Sequence, residues 1–266
     1  MTPAPSSFTW EPLFVVLAAA AAFLYWQAAR AERPPWWRIV LFLTGLLLVV
    51  GAIASPIETL AIHYLLIMHL LQNVMMADWA PPLLVLGLTP AMREAIARRG
   101  GRPFRTVTRA RFALVFWVVS WYAVHLPVFY GFALRHPLTL NVEHAWLLLA
   151  GLLFWWYVLS DAPEQRSTAA VLLVLGVAFG LASFLGLAFI FSSTPFYDFY
   201  ADAPRLWGFS AAKDQNLGGI LMNGEQTIVF FAALGYFVLR LLDEEEELQR
   251  RSEEREAELR RGRVVS

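Results

Sequence analysis

No cysteine occurs in the 266 residues. Disulfides, thiolate metal centres and cysteine nucleophiles are therefore excluded together, and a soft-metal site would have to be built from histidine and methionine. Lysine is almost as scarce: every basic residue is an arginine except Lys213. Lys213 lies outside the long apolar runs, which excludes a seven-helix protein carrying retinal on an intramembrane lysine. Charged residues make up only 16% of the chain and balance to a formal net charge of zero, so no argument for nucleic acid arises. No Walker-type or G-x-G-x-x-G loop opens a helix, and no H-E-x-x-H is present. No Ser-His-Asp set can be argued from spacing. The internal repeats from which many secondary transporters are built are not visible either, which weakens a permease reading.

What is present is apolar. Hydrophobic residues make up 58% of the sequence, and the mean hydropathy is +0.53. A soluble domain of this length exposes far more charge, so the chain reads as a polytopic membrane protein. A helical span needs about 20 mainly apolar residues. Runs of that kind fall near 13–29, 38–55, 59–88, 112–134, 142–160, 169–191 and 220–242. The expected fold is an all-α bundle of about seven transmembrane helices over residues 1–242, followed by a charged tail over 243–266. The first run has no basic residue ahead of it, unlike a signal peptide, and is expected to be a retained span. The third run is overlong and contains Pro81-Pro82, which remove two backbone donors. It is predicted to kink or end near Ala80. Gly218-Gly219, where a loop enters the last span, predict a tight turn or close packing.

Arginine gathers in loops on one side: between the first two spans, between the third and fourth, after the fifth, and in the tail. Of the 21 basic residues, only Arg135, Arg205 and Lys213 fall on the other side. Cytoplasmic loops collect Lys and Arg, so the N-terminus is expected outside and the C-terminus in the cytoplasm. The basic third-to-fourth loop is expected to lie against anionic headgroups. The tail alternates in sign, with Glu246 and Arg250, Glu247 and Arg251, and Glu256 and Arg260 in the favourable i,i+4 order of a solvated helix.

This orientation turns scattered histidines into a pattern. His63, His69, His125, His136 and His144 are the only histidines, and all fall on or near the outer side. Glu143 precedes His144, and Met222 opens the last span from the same side. On the third span His69, Gln72, Asn73 and Met76 share one helical stripe, with His63 off it. Polar groups at membrane depth face a protein interior or cavity. One reading is polar packing between helices; the other is a metal or ligand site formed by His69, His125, His136, Glu143, His144 and Met222. The outer segment 192–219 is rich in aromatics and is expected to pack as a lid or sit at headgroup level. Asp78 reads as a lone acid toward the inner half of the third span, either a protonatable relay or a hydrogen-bonded packing acid.

Several blocks resemble the CtaG family of cytochrome c oxidase assembly factors. ADWAPPLLVLGLTP resembles the family's proline signature. WYAVHLPVFYGFALRHPLTLNVEHAWLLLAGLLFWW resembles its histidine-rich region, and FSSTPFYDFYADAPRLWGFSAAKDQNLGGILM the segment entering its last span. The resemblance covers roughly 55–245. It implies a bacterial plasma-membrane protein, not an enzyme, that helps to assemble haem–copper oxidase by delivering or inserting copper. The oxidase subunits and a copper chaperone would be its partners. By position, His69 stands at the first histidine of the family's H-M-x-x-H, and Asn73 at the second. His136, Glu143 and His144 match the ends of H-P-x-x-H-x-x-E-H, with Leu140 at its middle histidine. Met222 matches a methionine beside the last span. Two alternatives remain open: a haem-binding redox protein using two histidines as axial ligands, and a scaffold that assembles oxidase without metal.

The cysteine-free background makes the orientation directly testable. Lys213→Cys should react with an impermeant maleimide from outside intact cells, and Arg250→Cys only after the membrane is permeabilised. The reverse pattern would overturn the topology.

Overall fold

The computed structural model describes residues 2–160 and 166–264, with side chains of the last helix described to Glu258. All regular structure among the described residues is helical. Five helices are long and apolar enough to cross a bilayer: α1 (Pro12–Glu32), α2 (Trp36–Ile53), α9 (Pro137–Leu159), α10 (Thr168–Phe191) and α12 (Ala211–Val264). Between them lie α3 (Pro56–His63), α4 (Leu66–Val74), a π-helical turn (Met75–Trp79), α5 (Ala80–Gly87), α6 (Pro90–Val107), α7 (Ala110–Val124) and α8 (Pro127–Ala133). A short α11 (Asp198–Ala201) precedes α12. The segment from α4 through α5 bends by 107° into α6, and α7 bends by 72° into α8. Counting each bent pair as one span gives seven, as the hydropathy runs predict.

The third span does not end at Ala80, one of the two outcomes expected there. The helix continues through Pro81-Pro82, and the ladder is adjusted in the turn just before them. There the backbone widens into the π turn, and the Ala80 N–H reaches back to the Met75 carbonyl. Such single-turn π-bulges accommodate a disturbed helical ladder. Pro81 has no N–H to offer the Ala77 carbonyl four residues before it. That oxygen turns instead toward α9 at Gly151: a Cβ built on Gly151 would stand only 2.3 Å from Ala77 O and 2.6 Å from the Pro81 ring. A glycine is therefore required at 151. It allows α9 to approach the proline-disrupted backbone to within reach of a Cα–H···O contact.

The chain leaves this span later, at Leu88 and Thr89. Thr89 caps α6 by accepting from the Met92 N–H at 3.1 Å, with Pro90 at the first helical position. The expected basic loop is thus helical through Val107, with one interruption at Gly101 (φ 58°). At 107° to its predecessor, α6 runs across the bundle instead of along it. Arg98, Arg99, Arg102 and Arg105 are exposed on it.

Packing centres on α12 against α10 and α4, α5 against α2, and α9 against α5, α7 and the π turn. Gly218 and Gly219 lie inside α12 and serve close packing. Added Cβ atoms would meet Leu70 at 2.6 Å and the Gly186 carbonyl at 2.8 Å. Beyond the apolar part of α12 the helix continues unbroken into the charged tail, where Arg251 pairs with Glu247 at 3.3 Å. Exposed pairs of this kind stabilise by only a few tenths of a kcal/mol. The Arg260 side chain lies outside the described residues.

Gly151→Ala should lower the thermal midpoint in detergent, because overpacking at a closed contact costs roughly 1–3 kcal/mol. Gly176→Ala, with nothing within 4 Å of its Cβ, should leave the midpoint unchanged or raise it.

Candidate functional site

Extended backbone at Leu65 separates α3 from α4 and leaves the first N–H groups of α4 without helical partners. Asp214, at the start of α12, supplies the acceptors. Its carboxylate accepts from Leu66 N–H at 2.7 Å and Ile67 N–H at 3.1 Å. This cap from a distant element fixes where α4 begins, and with it the height of His69.

The stripe read from the sequence divides. Gln72 turns to α2 and α3, donating to the Ala52 carbonyl at 2.6 Å and to Glu58. His69 and Asn73 turn the other way, into a fully buried cluster with His125, Glu143 and His144. The rings of His69 and His144 lie 5.7 Å apart, centroid to centroid. His69 Nε2 stands 3.3 Å from Glu143 Oε1, close but without hydrogen-bond alignment.

The hydrogen bonds around each ring fix its tautomer. The Tyr200 hydroxyl donates to the Ala61 carbonyl at 2.6 Å, so it accepts from His69 Nδ1 at 3.3 Å. Nδ1 of His69 then carries the proton, and Nε2 presents a lone pair toward Glu143. A lone pair facing a carboxylate is repulsive unless a proton or a cation lies between them. His125 is arranged differently. Its Nδ1 meets the Trp121 carbonyl at 2.6 Å and must donate there, which leaves Nε2 to accept from the Asn73 amide at 3.5 Å. Both nitrogens of His125 are engaged, whereas neither nitrogen of His144 has a partner. Asn73 Oδ1 lacks one as well, while Glu143 has the Asn73 side chain and His69 Nε2 beside it. Each buried polar group left unpaired costs about 1–3 kcal/mol, so the three unpaired atoms beside His69 Nε2 mark a place where a ligand would be stabilising. Neutral imidazole suits zinc, copper, iron and nickel alike. Among the described residues, however, no three His, Asp or Glu side chains are grouped to hold a metal ion as they stand. The arrangement offers His69 and His144 as its two free imidazoles, with Glu143 adjacent.

Of the remaining predicted residues, His136 is placed apart. His136 is exposed at the start of α9, where it stacks on Phe132 at 4.0 Å and bonds to its carbonyl. Met222 is fully buried in the apolar core on α12. His63 ends α3, half-buried beside Tyr64. Segment 192–219 does act as a cover. Tyr197 and Tyr200 are buried, Tyr197 donates to the His125 carbonyl at 2.8 Å, and its ring stacks on Tyr130 at 4.2 Å. Tyr130 in turn stacks on His69 at 4.6 Å.

Asp78, read from sequence as a lone acid, has company. Gln226 donates to its Oδ2 at 3.3 Å, and the neighbouring Glu225 accepts from Trp79 Nε1 at 2.8 Å. Both carboxyls are buried. Glu225-Gln226 within the last apolar run was the available signal for this second cluster, and sequence reading passed over it.

A family model described as cytochrome c oxidase caa3 assembly factor (Caa3_CtaG) matches residues 12–244 of the chain. No curated protein and no solved structure matches it.

Tyr200→Phe removes the hydroxyl that joins the cover to Ala61 and His69. Loss of about 1 kcal/mol should show as a lower thermal midpoint and faster amide hydrogen exchange in α11. Unchanged exchange there would mean that the cover is held by ring stacking alone.

Proposed function

Because this chain belongs to the cytochrome c oxidase caa3 assembly factor family, we propose that it serves oxidase assembly by handling copper as cargo at the outer face of the bacterial plasma membrane. The observation that carries this reading is the pair of imidazoles with unpaired nitrogens: His69 Nε2 and both nitrogens of His144 lack hydrogen-bond partners in a buried cluster, with Glu143 3.3 Å from His69 Nε2. His69 and His144 would hold the ion, and Glu143 would offset its charge. Tyr200 orients His69 through Nδ1, as second-shell acceptors orient metal-bound imidazoles. Asn73 keeps His125 in reserve through its amide contact.

The location agrees with the distribution of arginine. The basic face, with α6 and the tail, is the cytoplasmic side; the histidine cluster lies at the opposite end. A haem reading is less well supported. His69 packs against Tyr130 at 4.6 Å and against His144 at 5.7 Å, and such close ring contacts leave a macrocycle little space. In this reading the cluster's role is binding and transfer.

Protein purified after copper loading should retain copper and show no intense Soret absorption. His69→Ala and His144→Ala should each reduce copper retention at least about tenfold, since even outer-shell changes cost 10–100-fold in metal affinity. Oxidase assembly in a complemented deletion strain should fall with it, while membrane insertion persists. His63→Ala and His136→Ala should be mild. Normal copper content and normal oxidase in both of the first two variants would end the copper reading and favour a scaffold. A strong Soret band would favour haem.

A further inference from the structure

Further along the third span than His69, toward the basic face, a second buried polar cluster joins the π turn to α12. Asp78 and Gln226 are fully buried, and Glu225 is nearly so. Gln226 donates to Asp78 Oδ2 at 3.3 Å, and Glu225 Oε2 accepts from Trp79 Nε1 at 2.8 Å. The two carboxyls are also in hydrogen-bonding contact with each other. A crevice of about 800 Å³ between α12, α5 and α9 has Asp78 and Trp79 in its lining, and it extends to Arg38 and Arg240 on the basic face.

Donors and acceptors do not balance in this cluster. Among the described residues, no N–H or hydroxyl reaches Asp78 Oδ1, Glu225 Oε1 or Gln226 Oε1. An ionised carboxylate only accepts, so two of them in contact have nothing to share and repel, the more so at membrane depth. One proton held between the acids turns that repulsion into a hydrogen bond. Gln226 is no acid, and its orphaned carbonyl oxygen independently marks a missing donor at the same place. A water at the end of the crevice would supply it.

We propose that Asp78 and Glu225 form a binding site for one exchangeable proton, taken from and returned to water in this crevice. The site bridges two elements, with Asp78 in the π turn and Glu225 on α12. Its proton therefore also fastens α12 to the third span, because emptying the site sets two like charges in contact. A divalent metal ion is the poorer occupant: three free oxygens fall short of the six or so that such hard cations gather. The other titratable groups turned into the crevice are Arg38 from α2, Arg93 from α6, Tyr236 and Arg240 from α12, and Arg166. The crevice-lining residues of α5 and α9 include none. The site is separate from the histidine cluster and does not depend on copper handling.

The test uses the full chain in detergent. Dicyclohexylcarbodiimide adds to protonated carboxyls from an apolar phase, and at neutral pH it should label Asp78 or Glu225, located by peptide mass spectrometry. Sodium should not protect the pair. A second measurement uses Glu225→Gln, whose amide donates permanently where the proton would lie. The folded parent holds a proton that the unfolded chain has released, so its stability falls as pH rises. Across about pH 6–9, above the range where exposed carboxyls titrate, the thermal midpoint of the parent should fall further than that of Glu225→Gln. The difference belongs to the pair, since all other carboxyls are common to both chains. No labelling of either acid, protection by sodium, or equal falls in the two chains would each overturn the site.

Discussion

Two missing N–H groups, at Pro81 and Pro82, constrain more of this structure than any single contact. In a bilayer a backbone carbonyl without a partner cannot turn to water. The chain meets the demand twice: the π turn redistributes the ladder before the prolines, and Gly151 brings α9 against the exposed Ala77 oxygen. His144 lies seven residues before Gly151, two helical turns away on the same face of α9. The contact that accommodates the prolines thus also sets how close Glu143 and His144 come to His69. At the other end, Asp214 fixes the start of α4. The site is positioned by backbone bookkeeping at both ends of one broken helix.

Within the cluster, chemistry separates histidines that composition cannot. His69, His125 and His144 are all buried on converging helices, yet their second nitrogens differ. The Trp121 carbonyl and the Asn73 amide use both nitrogens of His125; Tyr200 uses only one of His69; nothing uses either of His144. Availability of a lone pair, and not burial or proximity, distinguishes a candidate ligand from a packing residue. Asn73 is central to this division. At this position the chain has an amide that engages His125.

Much of the architecture was legible because membrane helices are written in hydropathy. The runs at 142–160 and 169–191 fall within a few residues of α9 and α10. The boundaries of the third span were not legible, because a π turn has no composition of its own and only the prolines after it hint at strain. The meeting of His69, Glu143 and His144 followed from placing them at one end of neighbouring helices. The separation of His136 did not, since a residue at the start of a helix can face in or out with the same sequence. Asp78 was visible as an anomaly, but its partner Glu225 is 147 residues further along the chain, and pairing across that distance is a property of packing.

Under the copper reading, the small number of free donors becomes informative about purpose. A site meant to keep a metal gathers three or four ligands in a closed geometry. Here two imidazoles and a carboxylate face each other where Asn73 and Leu140 replace further histidines. The cover over them is attached by the hydroxyls of Tyr197 and Tyr200, by the Phe196 N–H, which donates to Gln215 at 2.7 Å, and by the stack of Tyr197 on Tyr130. Hydrogen bonds of that kind contribute about 1 kcal/mol each, and the two buried rings add to them. A cargo site must release what it binds. Modest ligation on the side where the ion would be handed over suits transfer better than storage.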